Sequence, residues 1–273
     1  MRHVLKITSA LYLLLHLAAP LWRGHTWGFD ALGESASEMA LFILAALLLV
    51  LLWENPSVLH RLLSLFSNDF PSVYLRWISV LLLGAIFALL TTQTHLLGDG
   101  RLLLRELALG AESPQDRAPL FFFVIRWIHA LMADAETSYR VLSIASGLAF
   151  SLLAFLISAE LTQDACLRWV IGMLIVTQGY VLLFFGYVET YATLFAVSAL
   201  YVYVALRCLK GTAPLYLAAV VLALPMCLHL AAISLVPSLV VLTVNRSEVS
   251  LRYRLGTIML TPILVGVVMI LLD

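Results

Sequence analysis

The sequence predicts an all-α protein, a polytopic transmembrane helical bundle of about nine spans with interfacial helices in one long outer loop. Three observations carry that expectation: composition, the recurrence of apolar runs, and the placement of charge. Of 273 residues, 63% are hydrophobic and 12% charged, with a mean hydropathy of +1.02. A soluble domain carries about 25% charged residues, and no water-soluble fold hides so much apolar surface. The 16 basic and 16 acidic residues cancel, which leaves no cationic footprint for nucleic acid and excludes it as a partner. Cys166, Cys208 and Cys227 are widely spaced, so neither a disulfide nor a cysteine metal site is expected.

A spanning helix needs roughly 20 apolar residues. Runs of that kind fall near residues 5–22, 36–53, 77–94, 141–159, 169–187, 190–206, 214–228, 230–244 and 255–272. The first follows a basic start, Met1 to Lys6, as a signal peptide would. However, Pro20, Leu21 and Trp22 make a poor cleavage site, so an uncleaved span is expected. Trp22, Trp53, Trp77 and Trp169 fall at span ends, where an indole sits in the headgroup layer with its N–H wet. The run from Leu215 to Val244 is long for one helix and short for two, and Pro225, His229 and Pro237 interrupt it. Charge decides in favour of two. Arg207 and Lys210 precede the run and Arg246, Arg252 and Arg254 follow it, and short basic loops prefer the cytoplasm.

The same rule places the N-terminus in the cytoplasm, with Arg2, Lys6, Arg61, Arg76 and Arg168 on that side. The outer side holds only Arg23 and one segment that breaks the rule. Arg101, Arg105, Arg117, Arg126 and Arg140 all lie between Thr94 and Val141, on the outer side. Within this loop, residues 101–109 read as an amphipathic helix stopped by Gly110, and residues 119–132 as a second piece too short and too charged to span easily. Both are expected to lie in the interface.

Asp99, between Gly98 and Gly100, reads either as a turn residue or as a carboxylate at the water–lipid boundary with cations nearby that accept a phosphate. Glu189, in FFGYVETYA, and His229, in PMCLHLAAISLVP, fall on the same outer side. Each alone is explained as a loop or helix-end residue; three on one face point to a site. No Asp, Glu, Lys or Arg is expected at mid-membrane, where ion-coupled carriers often place theirs.

These segments resemble the GT-C-type membrane glycosyltransferases, a dolichyl- or polyprenyl-phosphate-sugar-dependent, mannosyltransferase-like superfamily. The span from Trp77 to Thr94, LLGDG with Asp99 and two helical pieces look like that family's first span and outer loop. APLFFFVIRWIHAL is similar to its Pro-Leu-aromatic stretch, and FGYVETY and HLAAISLVP look like later outer segments. The resemblance covers about 200 residues. It implies two regions: residues 1–76, two spans and a cytoplasmic connection, and residues 77–273, a seven-span module with its outer loop at 95–140. Because most members continue past the seventh span, a chain ending at Asp273 would be a truncated or a minimal member.

The resemblance implies an inverting hexosyl or pentosyl transferase in a bacterial-type plasma membrane. Its donor is a lipid-linked sugar, and its acceptor a glycan, lipid or protein. Asp99 would be the catalytic carboxylate, while Arg101, Arg105, Arg117, Arg126, Glu189 and His229 would bind substrate or its phosphate. Many members carry paired acidic residues where Gly100 and Arg101 follow Asp99, so a divalent cation is the one cofactor left open. A transporter or flippase, and a non-catalytic membrane scaffold, are the alternatives.

Overall fold

The computed structural model describes residues 72–92, 99–110, 118–246 and 248–272. The two N-terminal predicted spans and Arg117 lie outside these. By internal contacts the chain divides into one unit of Ser72–Thr177 with Leu183–Asp273, and another of Met1–Pro71 with Gln178–Leu182. Asp99, Glu189 and His229 all belong to the first unit.

Every regular element among the described residues is helical. The order is α1 (Ser72–Leu89), α2 (Gly100–Leu109), α3 (Pro119–Met132), α4 (Ala135–Leu161), α5 (Ala165–Val176), a 3-10 segment (Gly179–Phe184), α6 (Tyr191–Leu209), α7 (Leu215–Leu228), a second 3-10 segment (Leu230–Leu235), α8 (Val236–Asn245) and α9 (Leu251–Leu272). Three of these helices, α4, α6 and α9, are long and apolar enough to cross a membrane. The predicted spans at 169–187 and 230–244 are instead composite, each pairing a short α-helix with a 3-10 segment.

Local chemistry sets these boundaries. Pro119 opens α3, where a missing N–H costs nothing. Asp134 caps α4 by accepting the Thr137 N–H at 2.7 Å. α7 ends because His229 is extended, at φ −164°, and its Nδ1 accepts the Ala231 N–H at 3.0 Å, capping the next 3-10 segment. The break foreseen within Leu215–Val244 therefore falls at His229.

The 27-residue α4 is the centre, packing against α1, α2, α3, α5 and α6, while α7 lies against α3, α6, α8 and α9. Between helices apolar on every side, hydrophobicity discriminates poorly, so specificity falls to small residues and hydrogen bonds. α4 supplies both. Gly147 admits the Phe87 ring and Phe184, with no room for a methyl group between them. Ser143 and Ser146 are buried and bonded to Leu183 O at 2.7 Å and Thr193 Oγ1 at 3.1 Å. Thr261 of α9 donates to the Ala219 carbonyl of α7 at 3.0 Å. Trp169 differs from expectation: its indole N–H donates to Ser79 of α1 at 3.3 Å, satisfied by the bundle rather than by water.

Candidate functional site

Asp99, Glu189 and His229 come to one end of this unit through two anchoring devices. The first is an apolar cluster joining α2, α3, the start of α4 and the end of α7: Leu103, Leu107, Phe121, Ile125, Val188 and Leu228 are among its buried members. The second is the Phe185–Thr190 loop. Ser143 donates to Leu183 O and accepts the Gly186 N–H at 3.0 Å, and Phe185 O accepts the Thr92 N–H at 2.8 Å. One α4 hydroxyl thus fixes both sides of the turn. Gly186 has φ +73°, the left-handed region that glycine adopts without strain, and it lies against Thr91 and Arg140.

The pinned loop delivers Glu189. Its Oε1 accepts the backbone N–H of Asp99 at 3.4 Å across 90 residues of chain, and its Oε2 accepts the Thr190 N–H at 3.2 Å. Burial pushes this carboxyl above the usual carboxylate range; the two N–H donors oppose that shift, and the nearby Asp99 charge adds to it.

Asp99 is exposed and occupies the N-cap position of α2, and its carbonyl accepts the Leu103 N–H at 2.9 Å. Its side chain makes no capping bond. An aspartate at an N-cap ordinarily spends its carboxylate on the helix's first free N–H groups. Here the backbone holds the turn, and the carboxylate makes no capping bond to α2. The turn reading and the site reading of Asp99 are thus compatible.

His229 packs at a tilt against Tyr191, two residues beyond Glu189, with ring centroids 5.0 Å apart. Because Nδ1 accepts from Ala231, the proton of the neutral ring sits on Nε2. The arginines divide. Arg101 and Arg105 occupy the exposed side of α2, opposite buried Leu103 and Leu107, and Arg126 is exposed on α3. Among the described residues, Arg101 and Arg105 form no salt bridge with Asp99 or Glu189.

Two residues at this end carry no role in the sequence reading. Arg140 pairs with Glu136 at 2.6 Å and donates to Thr92 O at 3.4 Å, which sets it beside the pinned loop; its buried Nε has no hydrogen-bond partner among the described residues. Tyr139, 2% exposed, carries a buried hydroxyl likewise without a partner, and the charged groups in its field are Glu106 and Glu189. The sequence reading makes both the last residues of the outer loop, whereas they lie in the first turns of α4. Among the described residues no three His, Cys, Asp or Glu side chains gather as a metal-binding group.

Comparison with known proteins gave no matching family model, no similar curated protein and no similar solved structure.

Proposed function

We propose that the chain is a multi-pass membrane glycosyltransferase of GT-C type, which moves a sugar from a polyprenyl-phosphate donor to an acceptor hydroxyl on the non-cytoplasmic side. The observation that carries this reading is the Asp99 carboxylate, which sits at an exposed N-cap held through backbone contacts and makes no capping bond of its own. In the proposed step the acceptor oxygen attacks the anomeric carbon as its proton passes to Asp99, and the bond from that carbon to the lipid phosphate oxygen breaks. Charge develops on the departing phosphate and calls for fixed cations. Arg140, held beside the loop, joins Arg101, Arg105, Arg117 and Arg126 as a candidate for that task. Glu189 and His229 line the same end and serve substrate orientation.

A transporter or flippase is the second reading. It is favoured by the composite segment at Leu230–Asn245, in which a 3-10 segment runs into a short helix, since discontinuous helices often frame transport sites. One experiment separates the readings. Purified chain in lipid is given a radiolabelled polyprenyl-phosphate sugar and an acceptor extract, and label transfer is followed. Transfer that falls by about 10²–10⁴ in Asp99→Asn supports the proposed role of a general base. Movement of label across the bilayer without transfer supports the transporter, and undiminished transfer by the variant removes Asp99 from the mechanism.

A further inference from the structure

We propose that the opposite end of the bundle, where the α6–α7 and α8–α9 turns meet, binds the phosphate of an anionic phospholipid, one acyl chain of which lies along α9. This inference is independent of the glycosyltransferase reading. Arg207 and Lys210 close α6, Arg246 follows α8, and Arg252 and Arg254 open α9. Arg246 stitches the two turns together, donating from Nη1 to the Cys208 carbonyl and from Nε to Glu248. Arg207 donates to Thr212 Oγ1 at 3.3 Å within the same turn, and Glu248 lies in the field of both Arg246 and Arg254.

The charges here do not balance. Glu160 and Glu248 are already paired, with Lys210 at 2.9 Å and with Arg246 respectively. Among the described residues Arg252 and Arg254 form no ion pair, and the buried Nε of Arg254 has no hydrogen-bond partner. Arg254 shares the inward face of α9 with buried Thr257 and Thr261, whereas exposed Arg252 lies on the opposite, outward face, and its guanidinium, which can only donate, takes an acceptor, best an anionic one. Phosphate oxygens fit the planar guanidinium fork.

The surface below selects a lipid over free phosphate. Leu255, Met259, Ile263, Val267 and Ile270 are all at least 47% exposed and recur at i, i+4 and i+3, forming one apolar ridge that runs down α9 from its basic start. A cationic head above a continuous apolar track matches a phosphate ester with an acyl chain. Inorganic phosphate would use only the head.

The test uses the full chain in phosphatidylcholine micelles titrated with phosphatidylglycerol of matched acyl chains, with binding read by native mass spectrometry and thermal stability. Saturable retention of phosphatidylglycerol over phosphatidylcholine is expected, weakened about tenfold by Arg252→Gln, as suits one lost charge-assisted hydrogen bond. Arg252 is exposed, so its variant is expected to keep the fold. Arg76→Gln, on α1, serves as the control for unspecific attraction and should leave retention unchanged. Equal weakening by Arg76→Gln, equal retention of phosphatidylcholine, or displacement of the lipid by millimolar inorganic phosphate would each overturn the proposal.

Discussion

Gly186→Ala probes the device that presents Glu189, and its cost can be worked from the structure. A Cβ at this position would lie 2.7 Å from the Thr91 methyl and 3.2 Å from Arg140 Cγ. Thr91 cannot swing away cheaply, because its hydroxyl donates to the Ala88 carbonyl at 2.6 Å and fixes the rotamer. Overpacking of this kind costs about 1–3 kcal/mol. The left-handed backbone, φ +73°, adds strain of roughly 1 kcal/mol for a residue with a Cβ. Gly110→Ala is the matched control: its φ is +60°, but among the described residues nothing lies within 4 Å of the added methyl. Strain and the loss of unfolded-chain entropy are common to both variants, so the difference between them isolates the clash. At about 3 °C per kcal/mol for a chain of this size, Gly186→Ala should melt about 3–9 °C below Gly110→Ala. Thermal unfolding in a fixed detergent measures this. Equal melting temperatures would show that the Phe185–Thr190 loop is not packed against α1 and α4 as described.

Further predictions concern the same end of the bundle. Ser143→Ala removes both loop-fixing hydrogen bonds and strands the buried Gly186 N–H, so a loss of about 1–3 kcal/mol is expected in denaturant titration. Ala133→Gly, at the left-handed C-cap of α3 where φ is 58°, should stabilise the chain by up to about 1 kcal/mol, read as a higher melting temperature. Glu189→Gln tests the raised carboxyl. Its stabilising contribution is fully present below the unfolded carboxyl's value of about 4.3 and is lost as pH rises through the higher folded value. Wild type should therefore gain melting temperature relative to the variant as pH falls from 8 to 4; a constant difference across that range would contradict the burial of the charge.

The sequence by itself determined the helical class, most helix positions and the break at His229, because those depend on local hydrophobicity and local breakers. Residues 119–132 are one helix with the boundaries read from Pro119 and Met132. Span length was less legible. An apolar run does not say whether it continues as α-helix or tightens into 3-10, and Gly179–Phe184 and Leu230–Leu235 took the second course. Trp169 shows why an end-of-span indole is ambiguous: its N–H can meet water or, as here, a serine on another helix.

Only the tertiary structure decided which polar groups meet. The Asp99 N–H and the Glu189 carboxylate are 90 residues apart, and their contact depends on Ser143 pinning a loop from the middle of a helix whose serines look, in sequence, like ordinary small residues. The unpartnered Tyr139 hydroxyl and Arg140 Nε are likewise invisible to periodicity, because a missing partner is a property of the surroundings rather than of the residue. Asp99 itself could be read from its glycines as a turn; that its carboxylate goes unused by that turn could not, since capping is a matter of side-chain geometry that residue identity leaves open.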